Sequence, residues 1–131
     1  MNKLCKNMLT GTVGELLVQL RLLQYGVQAA PPLKDSGNDL IAVRGSVFKA
    51  IQIKTTAGAP EDISQNIKRQ FHVLAIVALK GEDNDLNLND SQIFLLEKDQ
   101  IQSAGGKVRN LDECLLTATR VESIFGIQAI E

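Results

Sequence analysis

The sequence predicts an α/β sandwich around a mixed sheet, and three observations predict it. The chain opens on an amphipathic helical pattern. Two strand patterns joined by a two-residue turn follow. Further on, a continuous apolar run has the length of a buried strand, with helical patterns before and after it. The 131 residues suit one domain with one core, so residues 1–131 are read as a single unit. Apolar residues make up 44% and charged residues 22%, an ordinary composition for a soluble globular protein. No apolar run is long enough to span a bilayer. Met1 to Lys6 lacks the apolar stretch of a signal peptide, so the expected location is the cytosol, with no membrane partner. Two cysteines, Cys5 and Cys114, form no CxxC or Cys/His cluster; a zinc site is not expected, and reduced thiols are.

The elements follow in order. Val13, Leu16, Leu17, Leu20 and Leu23 recur at helical spacing, which predicts a helix from about Thr12 to Tyr25, stopped by Gly26. Val27–Ala30 reads as a short strand ended by Pro31-Pro32, and Lys34–Asn38 as a loop. Asp39–Val43 and Val47–Thr55 read as strands around Arg44-Gly45-Ser46. Ile63, Ile67 and Phe71 predict a helix from about Asp62 to Gln70, with Gln65, Asn66, Lys68 and Arg69 on its other face. His72–Leu79 is the apolar run assigned to a central strand. Gly81–Asp90 is expected to be an acidic surface loop and Gln92–Leu96 another strand. Asn110-Leu111-Asp112-Glu113 has capping-box spacing, so a helix is expected after it, broken or ended near Gly126.

The hairpin brings chemistry together. Gly followed by Ser suits a type II′ turn. With Gly45 and Ser46 as the loop, Arg44 pairs with Val47, and counting back sets Asp39 opposite Gln52. Opposed residues share a face, and Lys54, two residues on, shares it as well. An acid, an amide and an amine then lie together. A register slip of one residue would separate them.

Gly37-Asn38-Asp39-Leu40-Ile41, a hairpin and Gln52-Ile53-Lys54 resemble the PD-(D/E)xK nuclease superfamily, which includes restriction endonucleases, archaeal Holliday-junction resolvases and one class of intron-encoded homing endonucleases. Gly14-Glu15 on the first helix is similar to the resolvase-like arrangement, in which a Glu precedes the hairpin. The resemblance covers roughly the first half to two thirds of the chain. It implies a restriction-endonuclease-like α/β/α sandwich and Mg²⁺-dependent (or Mn²⁺-dependent) hydrolysis of DNA phosphodiester bonds. The implied catalytic residues are Glu15, Asp39, Gln52 and Lys54. The implied metal ligands are Glu15, Asp39, the Gln52 carbonyl and the backbone carbonyl of Ile53. Mg²⁺ takes oxygen ligands and keeps several waters, so one or two carboxylates suffice. Lys54 would orient the attacking water or balance charge in the transition state. The chain departs from the pattern at two places: Asn38 stands where Pro is common, and Gln52 stands where an acid is usual. Some intron-encoded relatives carry that Gln.

Each residue also has a plainer reading. Thr12-Val13-Gly14-Glu15 has capping-box spacing, with Thr12 as N-cap and Glu15 at the third helical position. Asp39 suits a turn or strand start. Gln52 and Lys54 suit the solvated face of an edge strand. His72, the only histidine, suits packing or the surface better than general-base work. Lys34, Lys68 and Arg69 are candidate contacts to nucleic acid, and a solvated face explains the last two equally well. Asp83 and Asp85 do not fit the EF-hand pattern.

The formal net charge of −1 argues against a broadly basic surface. DNA is the expected partner, and cutting both strands of a duplex calls for two sites, hence a homodimer or higher homo-oligomer. Leu111, Leu115, Leu116, Val121, Ile124 and Phe125 are candidates for its interface and equally for plain core. The alternative function is a catalytically inactive nuclease-fold module that binds nucleic acid or a protein partner, for which the missing hairpin acid speaks. A chance match on an unrelated α/β interaction module is the third possibility.

Overall fold

The structure is a computed structural model that describes residues 6–34, 39–60, 71–82, 85–101 and 110–127. Helix α1 (Lys6–Gln24) leads into strands β1 (Gln28–Ala30), β2 (Leu40–Arg44) and β3 (Val47–Thr56). Strand β4 (Val73–Ala78) follows, then a small hairpin of β5 (Gly81–Glu82) and β6 (Asp85–Leu86), and strand β7 (Gln92–Glu97). Two 3₁₀ turns (Lys98–Gln100 and Leu111–Cys114) precede helix α2 (Ala118–Phe125). The main sheet has the order β1-β2-β3-β4-β7. Only the β3–β4 pair is parallel, so the sheet is mixed, as expected. A parallel pair needs a crossover between its strands. The helix predicted at 62–70 falls in that crossover and, with Lys68 and Arg69, lies outside the described residues.

Strand β4 is buried along its whole length. Its two faces go into two cores, which is why its sequence is continuously apolar instead of alternating. Val73, Ala75 and Val77 pack with Leu17, Val18 and Leu22 of α1 and with Val121, Ile124 and Phe125 of α2. Leu74, Ile76 and Ala78 pack with Phe71, Phe94, Leu96 and Cys114 on the other face. Both helices thus cover one face, and among the described residues the opposite face is covered by the 3₁₀ turn at Leu111–Cys114 and its neighbours. Among the described residues no helix is long and apolar enough to cross a membrane.

Helix α1 begins six residues before the expected start, which places Thr12 inside the helix and removes the Thr12–Glu15 capping box. Packing on the sheet overrides the weak helix propensity of the Thr10-Gly11-Thr12 stretch. The other end matches the expectation. Gly26 has a φ of 76°, its N–H donates to Leu23 O at 3.0 Å, and the Val27 N–H donates to Leu22 O at 3.0 Å. These are the two bonds of a Schellman motif, which needs a left-handed residue at this position.

The second capping box is also absent. Asn110 adopts the left-handed conformation (φ 56°) and caps nothing with its side chain. Leu115 forms a bridge with Phe94, and the Leu116 N–H donates to Ile93 O at 2.9 Å. These contacts hold the backbone extended beside β7, so the helix starts only after Thr117, whose hydroxyl accepts from Arg120 N–H at 3.1 Å. It ends at Gly126 (φ 86°), as read. The expected loop at Gly81–Asp90 contains the β5–β6 hairpin, with Asp85 on β6 and Asp83 outside the described residues.

Candidate active site

The β2–β3 hairpin has the predicted register, with Arg44 paired to Val47 and Leu40 to Ile51. Gly45 has a φ of 61° while Ser46 has a negative φ, as a type II′ turn requires. One step beyond Leu40–Ile51, the same register sets Asp39 across from Gln52. Asp39 sits just before β2, where its backbone N–H donates to Ile51 O at 3.0 Å. Its Oδ2 accepts the Ile53 N–H at 2.7 Å, in place of a strand carbonyl.

Strand β3 is central in the sheet, which removes the edge-strand explanation for Gln52 and Lys54. Gln52 is only 7% exposed, and its buried Oε1 has no hydrogen-bond partner. A buried amide oxygen without a donor is costly, by about 1–3 kcal/mol. Lys54 is exposed. Helix α1 brings the fourth group. At Gly14 it presses on β3 so closely that an added Cβ would lie 2.0 Å from Thr55 Oγ1. That approach sets Glu15 beside the hairpin.

Glu15, Asp39, Gln52, Ile53 and Lys54 line one cleft of about 290 Å³, completed by Thr10, Gly11 and Thr55. The Glu15 carboxyl is pushed above its ordinary value of 4.5, first by burial and then by the negative charge of Asp39. A carboxyl whose ionisation is opposed by burial and by the Asp39 charge, beside an amide oxygen without a donor, makes a set of oxygens that a cation would relieve. Among the described residues no three His, Cys, Asp or Glu side chains come together, so the set is two acids and an amide.

The three remaining lining residues were not singled out in the sequence. Thr10 and Gly11 stand about one turn before Glu15 on the same helix, a spacing that could have flagged them. Thr55 Oγ1 is buried and unpartnered like Gln52 Oε1, and nothing in the sequence signals that. Lys34 is exposed in the loop after β1 and does not line the cleft. His72 lies outside the cleft at the start of β4, where its Nδ1 accepts the Ala50 N–H at 2.9 Å, a strand-pairing role. Leu116, Val121, Ile124 and Phe125 are core, the second of the two readings that the sequence allowed.

No family model and no curated protein matches the sequence. A solved bacterial homing endonuclease, I-Ssp6803I, shares the fold with a TM-score of 0.55 and 13% identity, over 82% of this chain and 84% of that one. The α/β fold that holds the cleft is therefore one that a nuclease also uses.

Proposed function

We propose that the chain is a Mg²⁺-dependent or Mn²⁺-dependent endonuclease of the PD-(D/E)xK type that hydrolyses DNA phosphodiester bonds. The observation that carries the reading is the convergence of Glu15, Asp39, Gln52 and Lys54 on one small cleft in a nuclease-like fold. Glu15, Asp39 and Gln52 Oε1 would hold the ion, with the Ile53 carbonyl as a further oxygen. When bound, a divalent ion supplies positive charge for phosphoryl oxygens and acidifies water. Asp39 is fixed through Oδ2 by the Ile53 N–H, so its carboxylate has a set direction before any ligand arrives. Lys54 directs the attacking water at phosphorus or offsets the charge that builds on the transferred group. A neutral Gln in place of an acid weakens the pull on a cation but leaves a hard oxygen donor.

The test is plasmid nicking. Supercoiled DNA with Mg²⁺ or Mn²⁺ should be nicked by the wild-type protein, and Asp39→Ala and Lys54→Ala should each lose on the order of 100-fold or more in rate. The second reading is the inactive binding module, favoured by the absence of a third acid from the cleft among the described residues. It predicts no nicking by any form, with salt-sensitive retention of DNA.

A further inference from the structure

Helix α1 is apolar on two opposite faces. Gly14, Leu17, Val18 and Leu22 turn toward the sheet and are buried. Leu9 (43% exposed), Leu16 (58%), Leu20 (55%) and Leu23 (59%) face away from it. At 3.6 residues per turn these four leucines fall within an arc of about 60°. Thr12 and Val13 flank the arc, and none of the six residues carries a charge. Among the described residues the other large exposed apolar side chains, Leu33, Phe48, Leu88 and Ile127, lie singly on separate segments. Scattered leucines are ordinary, but a continuous stripe marks a contact surface. A helix with apolar faces on both sides is one that is covered on both sides.

We infer that this stripe is the interface with a second copy of the chain, formed by two α1 helices packed antiparallel across a two-fold axis at Leu16. The spacing argues for a copy of itself. Leu9 and Leu23 stand seven residues before and after Leu16, so a two-fold at Leu16 sets Leu9 against the partner's Leu23 and Leu16 against its own counterpart. An isologous contact requires this self-complementarity. An uncharged face meets its own copy without like-charge repulsion. The four leucines expose roughly 400 Å² per copy, about half of what each side of a standard interface buries. The same helix carries Glu15, so the pair would hold two clefts in one assembly. The inference itself stands without the nuclease reading, because its test uses no substrate.

Sedimentation of the full chain across a concentration series should give twice the chain mass. Leu16→Lys with Leu20→Lys should weaken the dimer roughly 100-fold or more and give the monomer mass, with an unchanged circular dichroism spectrum. A second measurement uses Cys5→Ser, Cys114→Ser chains. There Leu16→Cys alone should be joined to its counterpart by a short bis-maleimide, whereas Leu9→Cys should be joined only when Leu23→Cys is present as well. A wild-type monomer at all concentrations overturns the proposal. So does a dimer whose mass survives the lysine substitutions, or Leu16→Cys chains that do not join.

Discussion

At the scale of single residues, the cleft combines groups that are costly to bury together. Glu15 holds its proton more tightly in the metal-free fold than in the unfolded chain, because burial and the Asp39 charge both raise its pKa. Between the ordinary value of 4.5 and the raised one, the folded chain holds more proton than the unfolded chain. Stability therefore falls as pH rises through that window and stays lower above it. Glu15→Gln should remove this loss: in the absence of divalent ions its melting temperature should exceed that of the wild type at neutral pH, with the gap closing below pH 4.5. A gap that does not change with pH would contradict the argument. Gln52 gives the complementary test. Gln52→Glu adds a third negative charge, so calorimetry should show roughly tenfold tighter Mn²⁺ binding, and the apo protein should melt lower than wild type. Asp39, Gln52 and Lys54 were legible from sequence because a two-residue turn and a period of two fix their common face. Glu15 was legible only through resemblance, since its local spacing pointed to a helix cap that α1 does not have. The helix starts where long-range packing sets it, and no cap residue announces that.

At the scale of elements, two glycines on one helix should behave oppositely. A Cβ at Gly14 would collide with the side chain of Thr55 at Oγ1, Cβ and Cγ2, so Gly14→Ala must push α1 off β3. A destabilisation of about 1–3 kcal/mol is expected, as for other overpacked contacts. Thr55→Ala in the same chain should recover part of it. A Cβ at Gly11 meets nothing within 4 Å, so Gly11→Ala should stabilise by about 0.5–1 kcal/mol through helix propensity alone. Urea unfolding of the three variants measures both signs. The hairpin register, the central strand and the Gly26 stop were all readable, because turn chemistry and apolar periodicity act over a few residues. The 3₁₀ turn before α2 was not. The Phe94–Leu115 bridge that holds Leu115 extended joins residues far apart in the chain, and no local pattern encodes it.

At the scale of the whole molecule, the fold class was readable and the disposition of the layers was not. The chain alternates helix and strand patterns in the right order, but that order leaves open which face each helix takes. Here α1 and α2 share one face. Helix α2 is tied in at both ends. Arg120 Nε donates to Leu95 O at 3.0 Å and its guanidinium also reaches Gln100, while Arg44 donates to Gly126 O at 2.6 Å. Arg120→Ala removes a donor from the Leu95 carbonyl and one of the two donors of Gln100 Oε1, which keeps the Glu97 N–H. It should lower the urea midpoint, by about 1–3 kcal/mol in stability, without changing the slope of the transition. Plasmid nicking below the transition should be unchanged, since Arg120 does not line the cleft.

The contact of Gly14 with Thr55 has one more consequence. The cleft is a seam between two pieces of chain, one carboxylate coming from the helix and the other from the hairpin. If α1 lifts away, the seam opens while every sheet hydrogen bond survives. Loss of the site would then require only a partial opening, cheaper than complete unfolding. Amide exchange along α1 should track the lifetime of the cleft, slowing when an ion bridges the two pieces while the deep amides of β4 stay as they were.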